Sequence, residues 1–129
     1  MEKWLVSGRI LRFLPMIGMM AAILVAASLP GSALPFLGHH QLDKICHGLA
    51  YAALAASCLF AFHPLSKKHP FLASLMVIGI CLCYGFAEEA YQSLIPQRVT
   101  DSRDVMADLL GTTIVVTGRQ LSRLRKKPD

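Results

Sequence analysis

Four apolar runs, at about 10–29, 45–62, 71–87 and 104–121, divide the chain, and each approaches the roughly 20 residues that a helix needs to cross a bilayer core. The fourth is the most polar, because it opens on Asp104 and carries Asp108. Proline, glycine and polar residues fill the three breaks, from Pro30 to Gln41, from Pro64 to Pro70 and from Pro96 to Arg103, as helix ends require. With 54% hydrophobic and only 16% charged residues among 129, there is too little polar surface to solvate an ordinary soluble domain. The expected fold is all-α: a single membrane domain over residues 1–129, built as a bundle of four transmembrane helices.

The charges are segregated. Lys3, Arg9 and Arg12 precede the first run, Lys67 and Lys68 sit in the middle break, and Arg119, Arg123, Arg125, Lys126 and Lys127 follow the fourth. The other two breaks hold only Lys44, Arg98 and Arg103 of the 13 basic residues. Positively charged flanks stay on the cytoplasmic side, so both termini and the middle break are expected inside the cell, with the two acidic connections outside. The formal charge of +5 is accounted for by this topology, and no nucleic-acid fingerprint accompanies it. Arg9 and Arg12 before an apolar run, with Gly31-Ser32-Ala33 after it, resemble a secretory signal; the length of the run and the three apolar segments that follow favour an uncleaved helix. Trp4 reads as an interfacial anchor, and the basic tail as resting against anionic headgroups.

The acidic connections carry the candidate chemistry. Asp43, His47 and Tyr51 recur every four residues and share one face if a helix begins near Asp43. Gly85, Glu88, Glu89 and Gln92 are three or four apart on the third helix, and Asp104, Asp108 and Gly111 repeat the spacing on the fourth, where Gly111 permits close helix approach. An ionised residue at the centre of a membrane helix costs about 2.5 to 3.5 kcal/mol on insertion scales, so these groups should face inward and pair. Lys44, Arg98 and Arg103 are the cations on hand for Asp43, Glu88, Glu89, Asp101, Asp104 and Asp108. Carboxylates outnumber them, which points to an outward-facing polar pocket able to hold a proton.

The series Asp43-Lys44-x-x-His47-x-x-x-Tyr51, then Glu89-x-x-Gln92-x-x-x-Pro96-x-Arg98, then Asp104 with Gly111, resembles the signature of the VanZ-like family of small bacterial membrane proteins, over about residues 43–116. The resemblance implies a multi-pass protein of the bacterial cytoplasmic membrane. The family's founding member is associated with low-level resistance to the glycopeptide teicoplanin, and no settled biochemical activity comes with the family. One position departs from the pattern: the family usually has Asn where this chain has Asp108. An amide donates and accepts without charge, whereas a carboxylate must find a cation or hold a proton.

Three functions use these residues differently. In the leading one, Lys44, Arg98 and Arg103 attract an anionic lipid headgroup or a lipid-linked envelope precursor, Glu89, Gln92 and Asp104 orient it or hold the cations, and Asp43, His47, Tyr51, Glu88 and Asp108 complete the ligand-binding set, in an accessory role in the cell envelope or in antibiotic tolerance. An enzyme would use Glu89 or Asp104 as general base and His47 as proton shuttle on a lipid-linked phosphate or ester. A proton-linked transport element would titrate Asp108, and four helices suffice for transport only if the chain oligomerises. Arg98 has a structural alternative, a bidentate pair with Glu89 or Asp104. His47 is expected to bond a carboxylate, because no HExxH or comparable compact spacing marks a metal site; no metal and no cofactor are implied. His39, His40, His63 and His69 read as loop residues. Cys46, Cys58, Cys81 and Cys83 lack disulfide or zinc spacing and read as packing residues.

Overall fold

The computed structural model describes residues 10–33 and 40–126. Lys3, Trp4, Arg9 and Lys127, used above for topology and anchoring, and His39, read as a loop residue, lie outside the described residues. The described residues are all-helical: α1 (Leu14–Ser28), a 3₁₀ turn (Gly31–Ala33), α2 (His40–Ala61), α3 (His63–Lys68), α4 (Pro70–Gln92) and α5 (Ser102–Arg125). Proline stands in the first turn of α1, α3 and α4, where its fixed φ suits the helix and its missing N–H is not needed. Asp101 caps α5 by accepting the Arg103 N–H at 2.9 Å, satisfying one of the donors a helix start leaves open.

Helix boundaries move by up to about five residues from the sequence reading, two of them at the acidic end, and one element was not expected. The second helix begins at His40, so Asp43 already lies within its first turns, and α4 runs to Gln92, so Glu88, Glu89 and Gln92 are helical throughout. The break after Ala61 folds into the short helix α3, which docks on α5: the Arg123 guanidinium donates to the Ser66 carbonyl and, at 3.0 Å, to the Ser66 hydroxyl.

At 22 and 23 residues, α2 and α4 are about 33 and 34 Å long. They are the two helices, among the described residues, long and apolar enough to cross a membrane. A soluble core helix would be mostly buried, yet only 39% and 28% of their apolar windows are covered by the rest of the chain. Phe60, Phe71, Leu75 and Phe86 point outward, as do Ile17 and Val25 of α1 and Leu110 and Ile114 of α5. Helix α1 is apolar but only 15 residues long. Helix α5 has the length, at 24 residues, but bears charge at both ends.

The long helices alternate in direction. Phe13, before α1, stacks edge-on against Phe62, after α2, at 5.7 Å; at the opposite end, Ser28 of α1 meets Tyr91 of α4 at 3.1 Å. Helices α2 and α5 therefore run parallel and share the most extensive interface. Their approach is set by Gly48 and Gly111: a Cβ on Gly111 would land inside the Gly48 carbonyl group. Below that crossing, Tyr51, Leu54, Cys58, Val77, Cys81 and Val116 fill the core, with Ile23 of α1 against them. One end of the bundle collects the carboxylates, and the other collects Lys67, Lys68, Arg119 and Arg123.

Candidate functional site

The parallel α2–α5 pair turns the four-residue spacings into a ladder. Equal rise per residue on both helices keeps them in step, so each turn of α2 meets the matching turn of α5. On the outermost rung the Lys44 ammonium donates to Asp101 Oδ2 at 3.0 Å and to Asp104 Oδ1 at 3.3 Å. One turn deeper, His47 Nδ1 donates to Asp108 Oδ1 at 3.0 Å. On the third rung α4 takes over: the Tyr51 hydroxyl donates to Glu88 Oε2 at 2.7 Å, while Gln92 Nε2, one turn along the same helix, donates to Glu88 Oε1 at 3.0 Å. Asp104, Asp108, Glu88 and Gln92 are all buried, and Tyr51 is fully enclosed. Buried polar groups are tolerated when their partners are in place, and here every rung supplies them. At the water-facing end, Asp101 sits below the usual carboxylate range, because the Arg103 N–H and then the Lys44 ammonium favour its ionised form.

Beside the ladder, α1, α2 and α4 enclose a cavity of about 250 Å³. Ile23, Ala26, Ala27 and Ala50 make an apolar wall; Asp43, Cys46, His47, Tyr51, Glu88 and Gln92 make the polar side, and Arg98 stands at the edge. Arg98 is placed by the turn after α4. Gln97 adopts φ 60°, a left-handed conformation uncommon for a side-chain-bearing residue. That turn lies against Gly31, whose N–H donates to the Pro96 carbonyl at 3.4 Å and where a Cβ would collide with the Gln97 carbonyl. Arg98 then donates from Nη2 to the Ala26 carbonyl at 2.7 Å and from Nε to the Leu29 carbonyl at 3.1 Å. The Leu29 carbonyl is otherwise open and the Ala26 carbonyl otherwise accepts the Leu29 N–H at 3.3 Å, and both lie at the end of α1, the favourable end of a helix for a cation.

Six of the residues singled out in the sequence therefore share one cavity: Asp43, His47, Tyr51, Glu88, Gln92 and Arg98. Lys44, Asp104 and Asp108 stand behind it, as the struts that hold α2 to α5. Glu89 and Arg103 do not join. A step of about 100° per residue separates Glu89 from Glu88, and Glu89 lines a shallower depression with Phe86, Ser93 and Ser102. Arg103 is exposed and contributes its backbone N–H. The expected pairing of Arg98 with Glu89 or Asp104 is replaced by the capping of α1, and the expected histidine–carboxylate bond is found with Asp108. The apolar wall was not foreseen. Alanines carry no chemical signal, and only the Ala26-Ala27 pair near the end of the first apolar run hints at room for a neighbour.

A histidine held at Nδ1 by a buried carboxylate presents its other nitrogen in a fixed direction, an arrangement suited to proton transfer or to binding a cation. No protein-family model, curated protein or solved structure matches this chain.

Proposed function

We propose that the chain is a VanZ-like protein of the bacterial cytoplasmic membrane, crossing it four times with both ends inside, and that its cavity receives the headgroup of an envelope lipid with an anionic group at Arg98. The observation that carries this reading is the two-sided cavity: an apolar wall from α1 and α2, helices that also carry exposed apolar side chains, faces a polar side edged by a guanidinium. Acyl chains suit the wall, and a phosphate suits the fork. Two of the five Arg98 N–H groups are spent on α1, which leaves the remainder for phosphate oxygens. Lys44 serves this reading indirectly, by neutralising Asp101 and Asp104 at the rim.

Purified protein should retain a phospholipid or lipid-linked precursor at one per chain, identified by native mass spectrometry. Ala26→Leu narrows the cavity from its apolar side while keeping the backbone carbonyl that Arg98 caps, and should release that lipid, as should Arg98→Ala. Retention by both folded variants would reject the cavity as the lipid site.

One contact favours a second reading, as an enzyme. His47, on the cavity wall and oriented by Asp108, is placed to act as general base toward a lipid-linked phosphate or ester. Turnover of the retained lipid, abolished by His47→Gln while retention persists, would establish it; stable retention without turnover leaves the binding role.

A further inference from the structure

We infer that His47, Glu88 and Asp108 form a site for one divalent first-row metal ion of the zinc class, where the cavity meets the α2–α5 ladder. The three donors come from α2, α4 and α5, and an imidazole nitrogen and one carboxylate oxygen from each acid lie within 4.8 Å of one another. Ligands of a single tetrahedral zinc ion stand roughly 3.3 Å apart at bond lengths of about 2.0 to 2.2 Å. Side-chain rotations of about 1 Å close the difference. One nitrogen and two oxygens are a donor set that zinc and its neighbours accept.

Charge makes the case. Glu88 and Asp108 are buried, and no lysine or arginine among the described residues reaches either one: Lys44 is committed to Asp101 and Asp104, and Arg98 to the carbonyls of α1. When an ion displaces the Nδ1 proton of His47, two carboxylates and a neutral imidazole remain, and theirs is the charge that a dication cancels. An independent observation comes from His47 itself. Its side chain is only 9% exposed, and Nδ1 already stands 3.0 Å from Asp108 Oδ1, close to the separation of two ligands on one zinc ion, so an ion would take the place of the proton these two atoms share.

The surroundings are those of a held ligand set. Tyr51 and Gln92 orient Glu88 from behind, as outer partners orient carboxylate ligands. Gly85 leaves room for Asp108: a Cβ there would stand 3.0 Å from Oδ2. An overlapping trio, Asp43, His47 and Asp104, is also within 4.8 Å, but the Lys44 ammonium already sits 3.3 Å from Asp104 and repels a second cation. Because His47 and Glu88 open on the cavity, the remaining coordination position faces whatever occupies it. The ion would then bridge these acids to an anionic headgroup. The site itself goes beyond the lipid reading and stands on its own donors.

The test uses the full chain in detergent, stripped with chelator, with zinc alone followed by calorimetry and cobalt alone followed by its visible bands. One ion per chain is expected, with cobalt bands of a low-coordinate nitrogen–oxygen site and no thiolate charge transfer. Glu88→Gln and His47→Gln should each weaken zinc by more than about tenfold, with helicity and monodispersity unchanged. Asp108→Asn is the third variant should either of these fail to fold. Absence of zinc and cobalt binding by the folded wild-type chain overturns the proposal, as does binding that survives the folded variants or shows thiolate bands from Cys46. Ala26→Leu separates the two ideas, because it should release lipid while the ion stays.

Discussion

Tyr51 is the residue on which the buried polar groups turn. Its ring fills the core with no exposure, and its hydroxyl satisfies Glu88. Tyr51→Phe keeps the ring but leaves a buried carboxylate oxygen short of a donor, at a cost of about 1 to 3 kcal/mol. Tyr51→Ala also opens a void and should cost about 3 to 5 kcal/mol. Unfolding by denaturing detergent, followed by circular dichroism, should order the variants wild type, Phe, Ala; a Phe variant as stable as wild type would mean that the bond to Glu88 contributes nothing. The alternation of Asp43, His47 and Tyr51 was legible from their spacing alone. The partner of each was not, because an i, i+4 repeat fixes a face of one helix and says nothing about the helix opposite.

Between elements, the α2–α5 crossing decides whether the ladder forms. Gly111→Ala drives a methyl into the Gly48 carbonyl, so the helices must separate, which overpacking of this kind makes unfavourable by about 1 to 3 kcal/mol. The same change at Gly118 meets nothing within 4 Å and should leave stability equal or raise it by up to about 1 kcal/mol, because alanine is the better helix former. A matched pair of unfolding curves checks both; equal losses would remove the close approach as the explanation. The start of α5 has its own signature. Asp101 titrates below its ordinary range in the folded chain, so the unfolded chain binds the proton first. Its cap and its tie to Lys44 are fully present above about pH 4 and are lost as pH falls through the lowered value. Melting temperatures measured from pH 6 down to pH 2 should fall less steeply for Asp101→Asn than for wild type, and parallel curves would deny Asp101 that role.

The whole molecule separates two chemical ends. At the basic end, His63 opens α3 and its pKa lies below the usual histidine range, because partial burial and then Lys67, Arg119, Arg12 and Arg123 disfavour a further positive charge. At the other end sit the ladder and the cavity. Under the proposed topology, single cysteines placed at Ser93 or Ser102 should react with impermeant reagents from outside the cell, and one at Lys67 only after permeabilisation. The reverse pattern would put the cavity in the cytosol and end the reading of an outward-facing envelope site.

Apolar run length and proline placement are local properties, which is why the sequence by itself determined that this chain is helical, where its long helices lie and which end of each bears the acids. The three-to-four spacing of those acids determined their faces. Tertiary structure alone decided which groups meet. Glu88 rather than Glu89 enters the cavity because neighbouring positions on a helix differ by about 100° and packing sets the rotation. Arg98 caps α1 rather than an acid because the Gln97 turn docks on Gly31. His47 meets Asp108 because two glycines let parallel helices approach in register, a long-range geometry that no stretch of either helix contains.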